Sequence, residues 1–163
     1  MKTELYKYDM NGLDNVYLMN GYTWQDTPYG RAIKIDQWEQ LDRAIAKALI
    51  TNPSKITGKE IRFLRQLFLL SQADFATMIG KDVQTVARWE KSGKTAKTTE
   101  MLARLRFAGL LDGNQTINSM VQTLNAIDHA KNARIVIVVT EKRGAWTAKL
   151  ETVTVRTPIL RGL

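Results

Sequence analysis

Gln84 and Arg88 stand four residues apart, a spacing that puts both side chains on one face of a helix. A carboxamide can bond bidentately to an adenine edge and a guanidinium to a guanine edge. An exposed Gln–Arg pair in the first two turns of a helix is therefore suited to reading bases in a DNA major groove. Val83 and Thr85 flank the pair and join it as candidate base contacts. Other chemistries lack their residues. The chain has no cysteine and one histidine, His129, which excludes disulfides, thiolate metal sites and cysteine nucleophiles and leaves Ser-His-Asp catalysis without support. Its ten glycines never fall as G-x-x-x-x-G-K or G-x-G-x-x-G, so no phosphate-cradling loop is present. Asp9, Asp14 and Asp26 match no calcium loop. No enzyme, metal or cofactor is expected.

A base-reading pair needs a rigid mount. Asp82 is placed to cap a helix that turns Val86 and Trp89 inward and runs out at Ser92-Gly93. Ser71 and Asp74 open the helix before it, with Phe75, Ala76 and Ile79 inward and Gly80 as its stop. Thr57 and Glu60 form a capping box for a helix through Ile61, Leu64, Leu67 and Phe68. A fourth helix is expected over about 98–111 and a fifth over about 116–129, ending near His129. The two helices that meet at Gly80-Lys81 make a helix-turn-helix unit, whose second helix enters the major groove N-terminus first.

The residues Leu70 to Lys94 read L-S-Q-x-x-F-A-x-x-I-G and then V-x-x-W-E-K-x-G-K. On this pattern, residues 57–110 resemble the helix-turn-helix domain of the Xre/Cro family of repressors. The sub-type is similar to the DNA-binding half of MqsA-type antitoxins, although the cysteines of their N-terminal zinc module are absent here. The resemblance implies that Gln84 and Arg88 read bases, that Ser71 and Gln72 meet phosphate, and that Lys91 and Lys94 clamp the backbone beyond. Lys81, in the turn, joins the phosphate candidates. It also implies a buried ion pair between Arg65 and Glu90, tying the first helix of the domain to the recognition helix. Outside such a motif, Gln84 and Arg88 would read as a solvated face, and Lys91, Lys94 and Lys97 as solubility charges. The segment GLDNVYLMNGYTWQDTPYGRAIKI is similar to the front of bacterial regulators that share this domain.

Charge obeys the same division. Residues 1–50 carry 6 basic and 7 acidic side chains, net −1, residues 51–112 carry 11 and 6, net +5, and residues 113–163 carry 7 and 3, net +4. A basic excess confined to residues 51–163, the motif and the C-terminal third, suits a polyanionic partner.

The rest of the chain reads as three parts. Residues 1–50 form a strand-rich module, with short antiparallel strands broken at Asn11-Gly12, Asn20-Gly21 and Pro28. It ends in a helix capped by Asp36 and Glu39, with Trp38, Leu41, Ile45 and Leu49 at helical spacing. Tyr6, Tyr8, Tyr17, Tyr22, Trp24 and Tyr29 read as sheet core, because single-strand stacking platforms need a basic groove and this region is acidic. The polar stretch TNPSK is the linker to residues 57–112, the DNA-binding domain. Residues 113–163 add a helix and a hairpin of RIVIVVT and AWTAKLETVTV across EKRG, taken as the dimerisation region. RIVIVVT, apolar on both faces, is the candidate dimer edge.

The expectation is thus an α+β protein with a five-helix core. Its partner is double-stranded DNA, bound as a homodimer because one such unit covers only about 600–1,000 Å². It is expected to act as a transcriptional repressor of its own operon. The alternative is an antitoxin, with a toxin protein as further partner. No apolar run spans a bilayer and no signal peptide opens the chain, so no membrane partner and a cytoplasmic location are expected.

Overall fold

The computed structural model describes residues 4–112, 116 and 135–152. The architecture is α+β, with five helices among the described residues, a strand-rich N-terminal region and a C-terminal hairpin. The expected helix over 116–129 with His129, apart from Thr116, and the hairpin beyond Thr152 lie outside the described residues.

Four strands precede the first helix: β1 (Tyr6–Lys7), β2 (Val16–Leu18), β3 (Tyr22–Thr27) and β4 (Gly30–Ile35). At the other end, β5 (Ile135–Lys142) and β6 (Ala145–Thr152) form a hairpin. Its turn residues Arg143 and Gly144 have φ of 53° and 80°, the paired left-handed geometry that matches strand twist. β2 pairs parallel to β5, Val16 opposite Ile137, so both ends of the chain share one sheet in the order β1-β2-β5-β6. This corrects the reading of RIVIVVT as a free edge. β5 is apolar on both faces because it is an interior strand, hydrogen-bonded on both sides.

The β3–β4 pair stands apart as a two-stranded ribbon. Tyr8 and Tyr17 are buried, and Tyr6 and Tyr22 pack with ring centroids 5.1 Å apart. Trp24 and Tyr29 depart from the sheet-core reading. Tyr29 is fully exposed at the ribbon tip, and Trp24 is half exposed with the Arg31 guanidinium 4.7 Å from its ring centroid.

Helix α1 (Trp38–Thr51) begins one residue later than the Asp36 cap predicts. Asp36 is occupied elsewhere: its N–H donates to the Gly21 carbonyl at 3.0 Å, and its carbonyl accepts the Trp146 indole N–H at 3.0 Å. Gln37, in a left-handed conformation (φ 49°), turns the chain into the helix without a side-chain cap, and Trp38 is exposed. The inward stripe is Leu41, Ile45 and Leu49, widened by Ala46, Ala48 and Ile50. This width lets α1 bury one side on β5 and β6 and another on α2 and α5, the first and last helices of the basic region. The core is continuous from Val16, Leu18, Ile137, Val139 and Trp146, through α1, to Phe63, Phe75, Trp89 and Phe107.

The remaining four helices are α2 (Gly58–Leu67), α3 (Gln72–Met78), α4 (Val83–Ser92) and α5 (Lys97–Leu111). The TNPSK stretch before α2 is no free tether, because Asn52 is buried and Arg104 of α5 donates to the carbonyls of Asn52 and Ser54.

The start of α2 abuts the end of α4. A Cβ on Gly58 would lie 2.2 Å from the Glu90 carbonyl oxygen and 3.1 Å from that of Trp89. Both obstacles are backbone, so relief requires the helices to part. Gly58→Ala is therefore expected to cost about 1–3 kcal/mol, the range for overpacking. Urea denaturation monitored by circular dichroism reads this directly, and a midpoint equal to the parent's would show that α2 and α4 separate freely.

Candidate nucleic-acid interface

Local chemistry sets each helix of the basic region. Thr57 and Glu60 form a reciprocal capping box on α2, as Ser71 and Asp74 do on α3. Gly80, at φ 65°, ends α3, and the Lys81 N–H donates back to the Ala76 carbonyl at 2.9 Å. Asp82 then caps α4, accepting the Thr85 N–H at 2.7 Å. That bond, the largest influence on it, holds the Asp82 carboxyl below its usual range. The start of α4 therefore carries a fixed negative charge, and attraction for phosphate falls to the cations around it.

Phe75, Ala76, Ile79, Val86 and Trp89 are buried in the core where α3 and α4 pack together. Phe107 of α5 stacks on Phe75 with centroids 5.1 Å apart, and Phe75 lies 6.2 Å from the Trp89 ring. Val86 and Trp89 hold one side of α4 in the core, which leaves Gln84, Arg88 and Lys91 exposed along the other. Val83 is 44% exposed. Thr85 is half-buried at the side.

An open cleft between α4 and the start of α5 is lined by Lys81, Thr85, Arg88, Ser92, Lys94, Thr95, Ala96 and Thr99. It brings three cations of the sequence-derived set together. Gln84 and Lys91 do not line it. Ser92, Thr95 and Thr99 join the cleft without a site signal in the sequence. The Ser92 hydroxyl donates to the Arg88 carbonyl at 2.7 Å and accepts the Lys94 N–H at 3.2 Å, so it fixes the loop that carries Lys94.

Ser71 and Gln72 are already engaged. The Ser71 hydroxyl donates to Asp74 Oδ2 at 2.7 Å, and Gln72 Nε2 donates to Glu90 Oε2 at 2.9 Å. Arg65 and Glu90 form a two-pronged ion pair, Nε to Oε1 at 2.5 Å and Nη2 to Oε2 at 3.2 Å. Arg65 also donates to the Leu70 carbonyl at 2.8 Å, so one guanidinium ties α2, the turn before α3, and α4. Burial pushes the Glu90 carboxyl upward, but bonds from Arg65 and Gln72 and the charges of Arg65 and Arg62 outweigh it and hold Glu90 below its usual range.

A helix pair locked in this way, with a polar face on the second helix, is matched by a family model described as Helix-turn-helix over residues 61–106, within α2 to α5. Residues 61–106 are an Xre/Cro-type helix-turn-helix domain. The helix-turn-helix domain implies DNA as a partner. No curated protein and no solved structure matches the chain. Among the described residues, no three His, Cys, Asp or Glu side chains converge where a metal ion could sit, and no helix is long and apolar enough to cross a membrane.

Proposed function

We propose that the chain is a cytoplasmic, sequence-specific transcriptional regulator that binds an inverted repeat as a homodimer and represses its own operon. The carrying observation is the polar face of α4: Gln84 and Arg88 are exposed while Val86 and Trp89 of the same helix lie in the core. In this reading Gln84 and Arg88 meet base edges, with Val83 and Thr85 beside them. Lys81, Lys91 and Lys94 meet phosphate. Ser71 and Gln72 remain phosphate candidates at the edge of this face, although their side chains already hold Asp74 and Glu90. The rival antitoxin reading draws on the aromatic β3–β4 ribbon as a protein contact, and co-purification with a small toxic nuclease would favour it.

The test compares Arg88→Ala with Lys94→Ala on a site selected from random duplexes and on its single-base variants, over several salt concentrations. Arg88→Ala should relax preference at one position per half-site by about 1–3 kcal/mol. Lys94→Ala should weaken all sequences alike and lower the slope of log K against log salt by about one unit. If Arg88→Ala depresses every sequence equally, α4 does not read bases through this face.

A further inference from the structure

The outer side of β6 has no strand partner among the described residues. We infer that β6 is a self-pairing edge: a second copy of this chain pairs antiparallel to it about a two-fold axis at Leu150, joining two four-stranded sheets into one of eight strands. The inference rests on the homodimer proposed above and names its interface.

The register is set by the hairpin. Lys142 and Ala145 flank the two-residue turn and form a hydrogen-bonded pair, and the pattern alternates from there. Ala145, Thr147, Lys149 and Glu151 therefore turn their backbone groups toward β5, while Trp146, Ala148 and Leu150 turn theirs outward. Any two-fold register centred on a residue of β6 lets outward groups of two copies meet, and centred on Thr147 it sets Lys149 only against Ala145 of the second copy. Centred on Lys149 or on Glu151, the pairing sets like charges directly opposite, which is destabilising. Centred on Ala148, it sets Lys149 against Thr147 of the second copy. Centred on Leu150, it sets Lys149 opposite Glu151 of the second copy, twice, in the non-hydrogen-bonded pairs where side chains approach most closely.

Side-chain placement agrees. Lys149 and Glu151 are both exposed. Leu150 lies on the same face as buried Trp146, the face packed by α1, and remains 37% exposed. The two-fold axis would set it against its own copy. Charges on an edge strand ordinarily oppose pairing, but one Lys and one Glu two residues apart are complementary to themselves under this symmetry. The axis runs perpendicular to the sheet, so both α1 helices, and the helix-turn-helix domains packed on them, would project from one side. That arrangement lets two recognition helices meet one DNA face.

Sedimentation equilibrium of the full chain tests this, with Lys149→Glu, Glu151→Lys and the double exchange. Each single reversal should weaken dimerisation about tenfold or more, and the double exchange should restore it while thermal melts stay alike. Leu150→Pro removes an outward N–H that β5 does not use, together with a side chain partly covered on the α1 face, and should give a monomer. Leu150→Ala, which keeps the N–H, controls for the lost side chain and should still dimerise. A chain that is monomeric throughout, or single reversals that dimerise like the parent, would overturn the β6 interface. In the second case, continued dimeric binding to the inverted repeat would leave the regulator reading standing and move the interface elsewhere.

Discussion

Arg104→Ala is expected to remove about 3–5 kcal/mol of stability, the range for breaking a buried charge pair from one side. Arg104 is fully buried, and its guanidinium is shared among one carboxylate and four carbonyls. Nε and Nη2 donate to Glu100 Oε1 at 3.2 and 2.7 Å, Nη1 donates to the carbonyls of Leu49, Ile50 and Asn52, and Nη2 to that of Ser54 at 2.6 Å. Leu49 and Ile50 lie in the last turn of α1, where carbonyls have no partner within the helix. Alanine would leave these acceptors bare and Glu100 buried, with the Ile56 N–H at 3.4 Å as its remaining donor among these contacts. Small domains are stable by about 5–15 kcal/mol, so the loss should be plain as a lower urea midpoint. Lysine should not rescue it, because a compact ammonium cannot span the acceptors a planar fork reaches. The double variant Glu100→Met with Arg104→Met separates two causes. Recovery to parental stability would mean that the ion pair alone mattered. Persistent loss assigns the effect to the α1 carbonyls, and a loss under about 1 kcal/mol for Arg104→Ala would sink the clamp altogether.

In sequence, Arg104 is an arginine four residues after a glutamate, the mark of an ordinary exposed helix pair. Its role depends on the end of α1 arriving some fifty residues away in the chain, which no local pattern records. The same division runs through the fold. Caps made within one turn, at Thr57, Ser71 and Asp82, are legible because donor and acceptor are neighbours. Asp36 has the same local credentials and fails as a cap because Gly21 and Trp146 engage its backbone. The apolar faces of RIVIVVT announce burial, yet only the insertion of β5 beside β2 decides between edge and interior. At the candidate site, the exposure of Gln84 and Arg88 comes from helical period alone. The Gln72–Glu90 bond and the backbone contact at Gly58 are set by how α2 and α3 cross α4, and the period of one helix carries no information about that crossing.

Trp89→Ala is expected to unfold the helix-turn-helix domain rather than change its base preference. Truncating a buried aromatic costs about 3–5 kcal/mol through lost contacts and the cavity left behind. Trp89 is fully buried beside Phe75, on the opposite side of α4 from Gln84 and Arg88. Its indole N–H has no hydrogen-bond partner among the described residues, so its stabilising contribution comes from packing, and the orphaned donor works against it. This separates two substitutions. Trp89→Phe keeps an aromatic ring in the cavity and removes the orphaned donor, so it should cost clearly less than alanine does, the remainder reflecting the smaller cavity left by the lost ring atoms. A tryptophan whose indole N–H mattered would show the opposite, with phenylalanine nearly as damaging as alanine. Thermal melts of the two variants measure the difference, and binding to the selected site shows whether recognition survives in Trp89→Phe. If Trp89→Ala melts with the parent and shifts base preference instead, the residue faces DNA and its place in the core is wrong.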